Sequence, residues 1–188
     1  MRFLFFLFFL PLSVKINISE AKKLILDELG DPGKTIQGER WSFFTDGVMG
    51  GLSEGKAIIS SIENIPCYKM TGNVTTENNG GFIQIRTPIN PLINADEFKG
   101  IYLKIFGNNN KYSIHIRTPL TSAPWQYYSY SFNAQNQWIE IKAPFKDFKR
   151  SNFYKLKKLS NQQIKSIGLV AGFSNFIADI CLSEIGFY

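Results

Sequence analysis

Apolar and polar residues alternate along most of the chain from Glu39 onward. In the segment FIQIRTP, Ile83 and Ile85 fall on one side of an extended strand and the polar Gln84 and Arg86 on the other. The same period of two continues through IYLKIFG, YSIHIRTP, WQYYSYSF, WIEIKAPF, SIGLVAGF and ADICLSEIGFY. Turn signals separate these runs, among them NNGG, TPINP, GNNNK, TPLTSAP and NAQNQ. The pattern predicts an all-β fold, an antiparallel β-sandwich or barrel whose sheets each have one buried and one solvated face.

The tetrapeptide Ile-Arg-Thr-Pro occurs twice, at 85–88 and 116–119. Proline has no N–H to donate to a neighbouring strand, so we predict that each tetrapeptide ends a strand. In both, the arginine lies on the face opposite the isoleucines. Arg86 and Arg117 are therefore predicted to point away from the core.

Two segments precede the predicted sandwich. The first, MRFLFFLFFLPLSVK, contains an apolar run from Phe3 to Val14, which is shorter than the about 20 residues that span a bilayer. A charged start followed by such a run predicts that residues 1–14 form a signal peptide, with an uncleaved anchor as the alternative. A secreted, periplasmic or membrane-associated location follows from this prediction.

The second segment, residues 15–38, is predicted to be a short helix and a linker. Ser19 can cap a helix that Gly30 ends, and apolar residues recur between them at helical spacing: Ala21, Leu24, Ile25 and Leu29. The linker DPGKTIQG, 31–38, then breaks regular structure. The sandwich domain is predicted to cover 39–188, with one helical turn begun at Ser160.

Charge and cysteine content narrow the function classes. The formal net charge is +6, and eight basic residues lie between Lys142 and Lys165 with Asp147 as the only acid. We interpret this stretch as a solvated loop, with an anionic partner as the alternative, and no motif for nucleic-acid binding accompanies it. Cys67 and Cys181 are too few for a disulfide scaffold or a CxxC zinc site. They are predicted to be buried free thiols, or a single bridge if the chain is exported.

The sequence contains no recognisable catalytic constellation. His115 is the single histidine, it lies in the middle of a predicted strand, and no nucleophile motif accompanies it. Glu140 and Asp179 lie within strands, and nothing in the sequence fixes their separation as a glycosidase pair would require. We therefore predict no catalytic residue, no cofactor, no metal and a non-enzymatic protein.

The segment WSFFTDGVMGGLS concentrates glycine after an aspartate. Asp46-Gly47 is a tight-turn dipeptide, and Gly50-Gly51 permits positive φ or a close backbone approach. Asp46 is predicted to accept hydrogen bonds from turn amides and hold the loop closed. A calcium site and a ligand contact are the alternatives.

TDGVMGGLS, followed about 25 residues later by GNVTTENNGGFIQIR, resembles the signature of the CIA30 family, the complex I intermediate-associated protein 30 domains. The resemblance covers Trp41 to Tyr188. It implies a galactose-binding-domain-like β-jelly roll. Asn79, Gly80 and Gly81 of the NNGG segment are predicted to form a structural loop. The resemblance also implies a non-catalytic module that holds a protein partner, such as a respiratory-complex intermediate. Mitochondrial members are complex I assembly factors, so mitochondria are the alternative location.

In this fold the outer face of one sheet is usually a shallow groove. Its candidate ligand-binding residues here are Gln84, Arg86, His115, Arg117, Trp125, Tyr128 and Tyr130. Arginine offers a planar fork of donors, and exposed aromatic rings offer stacking faces. A protein partner or a glycan would both suit this mixture, the latter making the chain a carbohydrate-binding module. The alternative interpretation is that Trp125 and the tyrosines are ordinary packing residues.

Overall fold

Twelve β-strands account for most of the described residues, 22–151, 159 and 163–188, of the computed structural model. The strands are β1 (Leu24–Asp27), β2 (Ser42–Thr45), β3 (Glu54–Ile62), β4 (Ile65–Val74), β5 (Phe82–Asn94), β6 (Gly100–Phe106), β7 (Asn110–Arg117), β8 (Tyr128–Ala134), β9 (Ile139–Pro144), β10 (Lys149–Arg150), β11 (Gln163–Gly172) and β12 (Phe176–Phe187). Short 3₁₀ helices occupy Asp46–Met49, Glu77–Asn79, Ala95–Glu97 and Phe145–Asp147. The described residues contain no α-helix.

The strands form two antiparallel sheets. The first sheet has the order β3-β4-β12-β6-β9, and β1 pairs with the C-terminal half of β12. The second sheet has the order β10-β8-β7-β11-β5-β2. Strands that follow each other in the sequence often lie in different sheets. The two packed antiparallel sheets form the sandwich that the alternation predicted.

The core lies between the two sheets and is made of aliphatic and aromatic side chains. Ile83, Ile85 and Ile114 from the second sheet are nearly inaccessible, as are Leu103 and Ile105 from the first. Their polar sequence neighbours point outward. The predicted faces of β5, β6 and β7 are therefore confirmed, because burial of one face fixes the register of each strand.

The predicted N-terminal helix is wrong over the residues that the structure describes. Leu24–Asp27 forms β1, which pairs with β12 through Leu24 opposite Phe187 and Ile25 opposite Gly186. Leu26 becomes buried in the core. A short apolar run fits both helical and strand periods, and the open side of β12 offers backbone partners that an isolated short helix lacks. Ser19 and Ala21 lie outside the described residues.

The prediction that Pro88 ends a strand is also wrong. β5 runs through Pro88 to Asn94, and Pro88 pairs with Ser166 of β11. The partner on the other side, β2, pairs with β5 only as far as Arg86. Beyond that point β5 has an edge without a ladder partner, where a proline is tolerated. The second tetrapeptide behaves as predicted, since β7 ends at Arg117.

Cys67 and Cys181 form a disulfide between β4 and β12, so the expectation of two free thiols is wrong and the bridged alternative is correct. Their Cα atoms lie 5.4 Å apart, within the range that disulfides require. Both residues are inaccessible to solvent. They occupy outward positions of adjacent strands, a juxtaposition that only strand pairing creates.

Several sequence predictions fall on residues outside the described ones. The apolar run Phe3–Val14, the turn at Ser160 and much of the basic stretch between Lys142 and Lys165 belong to this group. Over the described parts of the chain, no helix has the length and apolar character needed to cross a membrane.

Candidate functional site

The outer face of the second sheet carries a groove whose floor is built by three neighbouring strands. Gly168 of β11 pairs with Arg86 of β5 on one side and with His115 of β7 on the other. Two residues further along β11, Val170 pairs with Gln84. Because glycine has no side chain, the floor of the groove is deeper between Arg86 and His115. The groove floor is therefore defined by strand register.

A cavity of about 370 Å³ lies over this floor. Its walls come from β2, from the loops after β2 and before β5, and from the segments flanking β8 and β11. Four large apolar side chains at its rim are more than half exposed: Val48 at 73%, Met49 at 56%, Trp125 at 62% and Phe173 at 61%. Exposed apolar side chains grouped in this way mark interaction surfaces.

Asp46 links the two glycine-rich loops that wall the cavity. Its carboxylate is fully buried and accepts hydrogen bonds from Ser53 N (2.9 Å) and Ser53 Oγ (2.6 Å). On the other side it accepts from Gly81 N and from Phe82 N (3.2 Å). Burial raises the pKa of Asp46, but the hydrogen bonds from Ser53, Gly81 and Phe82 outweigh it, and the net pKa is lowered. Asp46 thus accepts hydrogen bonds from both loops at once.

The glycines around Asp46 have distinct physical reasons. A Cβ at Gly51 or at Gly80 would overlap the Asp46 carboxylate. Gly50 and Gly81 adopt positive φ, 85° and 129°. DGVMGG and NNGG, which lie far apart in sequence, are thus one structural unit around a buried carboxylate. Gly47 begins the turn by donating its N–H to Thr45 Oγ1, and Asn79 adopts a left-handed φ of 58°.

Two arginines project into the cavity from opposite sides of β11. The guanidinium of Arg86 lies 4.7 Å from the ring centroid of Phe44. Arg117 donates a hydrogen bond from Nη2 to the carbonyl of Pro124. Burial lowers the pKa of both guanidinium groups, and proximity to Arg86 lowers that of Arg117 further. The described residues that line the cavity include no Asp or Glu, so both charges lack a carboxylate partner there.

His115 lies under an aromatic cover at the groove floor. Its ring stacks on Tyr127 at 3.9 Å between centroids, and the ring of Phe173 lies 5.9 Å away. The Nε2 atom is buried and has no hydrogen-bond partner among the described residues. Burial, and then the charge of Arg117, lowers the pKa of His115 to about 3. The imidazole is therefore neutral at physiological pH, and no Asp or Glu among the described lining residues stands beside it as the orienting acid of a catalytic base.

The structure brings five of the seven predicted ligand-binding residues to the cavity: Gln84, Arg86, His115, Arg117 and Trp125. Trp125 lies in the loop before β8, although the sequence placed it in a strand. Tyr128 and Tyr130 were assigned to the wrong face. Tyr128 is buried in the core, and Tyr130 packs against it and against Phe148.

Sequence reasoning missed the aromatic residues Phe44, Tyr127 and Phe173 of the lining. In the run YYSYS, tyrosines occur at both odd and even positions, so alternation alone does not say which of them face the groove. Ser129 pairs with His115, and the serines of β8 therefore lie on the groove face. Tyr127, one residue before β8, then covers His115. The sequence signal that could have found Tyr127 was the other strand phase of YYSYS, in which Tyr127 and the two serines share one face.

No group of three or more His, Cys, Asp or Glu that could hold a metal ion occurs among the residues that the structure describes. The oxygens of Asp46, the carboxylate that motivated the calcium alternative, already accept four hydrogen bonds. The arrangement of the groove favours a ligand that carries hydrogen-bond acceptors and apolar surface.

This two-sheet jelly-roll fold is that of carbohydrate-binding modules. The chain is similar to a family 11 carbohydrate-binding module from Clostridium thermocellum in complex with a β-1,3-1,4-mixed-linked tetrasaccharide. The TM-score is 0.69 at 17% identity, covering 90% of this chain and 96% of that one. A family 30 carbohydrate-binding module is similar with a TM-score of 0.52 at 10% identity, covering 73% and 91%. At these identities the likeness establishes the fold alone.

The family follows from the sequence. Residues 32–180 match the family model described as Complex I intermediate-associated protein 30 (CIA30), and the chain belongs to this family. The resemblance of DGVMGG and NNGG to that family is thereby confirmed. Among curated proteins, none matches the chain.

Proposed function

We propose that this chain is a non-catalytic binding module that holds a protein partner in the groove on the outer face of the second sheet. One observation carries the proposal: a preformed cavity combines an exposed apolar rim with two arginines that have no carboxylate partner among the described lining residues. Anchors of protein interfaces are enriched in arginine and aromatic residues, and this cavity offers both.

The chemistry of the lining supports a binding role. Its titratable groups are two arginines, Tyr127 and a histidine that stays neutral, and no described lining residue is an acid, serine, cysteine or lysine. Nucleophilic or acid–base catalysis needs a nucleophile or a tuned acid and base within reach of each other. The family's name supports a partner that belongs to an assembly intermediate of a respiratory complex.

The partner can be identified by capture with a matched variant. The tagged full chain, and a variant carrying Arg86→Met and Arg117→Met, are incubated with detergent extracts of native membranes. Proteins enriched by the wild type over the double variant are identified by mass spectrometry. Arg40→Met is the control, because Arg40 is exposed and does not line the cavity. We expect a defined protein that the wild type and the control both retain; no such enrichment would contradict the proposal.

A carbohydrate-binding module of the cell envelope is the second candidate function. The observation that favours it is the ring of Trp125, which is 62% exposed beside Tyr127 at the groove edge and can stack on a sugar. The similar family 11 module is described with a mixed-linked tetrasaccharide bound. Binding of that tetrasaccharide by the wild type, lost in Trp125→Ala, would support this candidate.

We further propose that the protein works outside the reducing cytoplasm, in a periplasmic, secreted or membrane-associated setting. The buried Cys67–Cys181 bridge supports this, since structural disulfides persist in oxidising compartments. The apolar run Phe3–Val14 fits the leader that export requires. N-terminal sequencing of the native protein, together with cell fractionation, tests both points.

A further inference from the structure

The groove contains two cations that the rest of the described chain leaves without an acid. Arg86 makes a cation–π contact with Phe44 and no ion pair or hydrogen bond with another described residue. Arg117 uses one donor on the carbonyl of Pro124. Both arginines are half-buried and line the cavity, and each guanidinium retains N–H donors that have no partner among the described residues. A bound anion would satisfy these donors.

The register of the sheet places the two arginines for joint recognition of one group. Arg86 pairs across β11 with Gly168, and Arg117 pairs with Ser166 two residues away. Two strand spacings across the sheet and two residues along it put their Cα atoms about 12 Å apart. Long side chains that converge from this separation can both reach an anion over β11 near Gly168, beside the side-chain oxygen of Gln84.

The rim adds a second requirement. Val48, Met49, Trp125 and Phe173 expose large apolar surfaces around the same cavity. Phe173 does so from a left-handed backbone conformation, φ 69°, which is unfavourable for a bulky residue. Strained, exposed residues of this kind cluster at binding sites. The occupant therefore needs apolar side groups beside its negative charge.

We infer that the groove binds an acidic peptide segment, in which one carboxylate reaches Arg86 and Arg117 and a neighbouring apolar side chain packs on the rim formed by Val48, Met49, Trp125 and Phe173. This inference rests on the proposed function and names the chemistry of the partner. The carboxylate comes from an aspartate or glutamate side chain or from a chain terminus. A neutral glycan lacks the charge, and an acidic glycan lacks large apolar side groups.

The test measures binding of labelled peptides to the full chain. One probe has the sequence Gly-Phe-Glu-Phe-Gly with blocked termini, and its partner carries Gln in place of Glu. A third has a free terminal carboxylate, Gly-Phe-Gln-Phe, and separates the two carboxylate sources. We expect each acidic probe to bind about tenfold more tightly than the neutral one, the size of one charge-assisted hydrogen bond. The preference is expected to vanish in Arg86→Met and Arg117→Met and to persist in Arg40→Met, with circular dichroism verifying the fold of each variant.

Other probes distinguish failure of the inference from failure of the proposed function. Equal affinity of the Glu peptide, the free-terminus peptide and the neutral Gln peptide overturns the inference, even when membrane extracts still yield a partner. Tighter binding of oligogalacturonate than of any peptide also overturns it, because the anion would then come from a glycan. Binding of the neutral mixed-linked tetrasaccharide alone, with no partner captured, overturns the proposed function as well.

Discussion

The outer faces of the two sheets differ in how their charged side chains are paired. On the first sheet, Lys69 pairs with Asp179 at 3.3 Å, and Glu184 accepts a hydrogen bond from Tyr102 and contacts Lys23. On the second sheet, Arg86 and Arg117 face a cavity whose described lining contains no acid. Lysines of the first face thus have acidic partners within the chain, whereas the two arginines of the second face have no carboxylate among the described lining residues.

The two faces also differ in how they are held together. The first carries the Cys67–Cys181 bridge between adjacent strands. The second is bordered by loops that converge on the buried carboxylate of Asp46. One face is therefore cross-linked and structural, while the other is walled by loops that shape a cavity. The following experiments test this contrast.

Loss of the disulfide is expected to have the largest effect. The bridge joins residues 114 apart in sequence, so it restricts the unfolded chain strongly, and Cys67→Ala with Cys181→Ala is expected to cost roughly 4 kcal/mol of unfolding free energy. Urea denaturation measures the change. The oxidised wild type is expected to respond to dithiothreitol and the variant not to respond. If the contrast between faces is correct, the folded variant still binds the acidic peptide.

Removal of the Asp46 carboxylate is expected to cost about 3 kcal/mol, because Asp46→Ala leaves buried donors of Ser53, Gly81 and Phe82 unpaired. Unlike the disulfide variant, it also opens both loops of the groove and weakens peptide binding. Thermal melts and the peptide assay measure the two effects. Asp31→Asn, which changes an exposed carboxylate, is the control.

Acid is expected to act on Asp46 in a defined direction. The folded-state pKa lies below the ordinary value of 3.8, so the unfolded state takes up the proton first and stability falls as pH drops through and below 3.8. Urea melts at several pH values are expected to give a smaller acid dependence in Asp46→Asn than in the wild type. Equal slopes would contradict this account.

Titration of His115 provides a smaller effect with an unambiguous signal, because the chain has a single histidine. Burial and Arg117 lower the pKa from 6.5 to about 3, so the imidazole NMR signals are expected to stay constant from pH 8 to 5. Since the unfolded chain binds the proton first, the contribution of His115 to the free energy of unfolding is fully present above pH 6.5 and declines as pH falls toward 3. His115→Gln removes this component. A midpoint near 6.5 in the folded protein would show that the aromatic cover is open.

The smallest expected changes in stability come from an ion pair of the first face and from anion binding by the two arginines of the second. Lys69→Met is expected to lower the free energy of unfolding by about 0.5 kcal/mol, as for an exposed ion pair.

Addition of sulfate, compared with chloride at equal ionic strength, is expected to raise the melting temperature of the wild type by about 2 °C more than that of the double arginine variant. Identical responses would indicate that the second face has no anion site.

Much of the fold could be predicted from local pattern, and most of the site could not. Ile83 and Ile85, or Ile101 and Leu103, alternate with polar neighbours in one phase only, so their faces were predictable. Leu24–Asp27 and the tyrosines around β8 fit two patterns, and strand pairing decided between them. The predicted arginines and His115 reached the cavity because their strands were assigned in the correct phase.

The sequence by itself determined the all-β class, the family and the outward direction of Arg86 and Arg117. The all-β class and the arginine directions depend on residues close together in the chain, and the family is recognised from motifs along the sequence without knowledge of which strands pair. Tertiary structure alone decided the disulfide, the union of DGVMGG with NNGG around one carboxylate, and the aromatic cover of His115 by Tyr127 and Phe173. Each of these joins residues whose proximity depends on strand order and register, and local periodicity carries no information about which strands become neighbours.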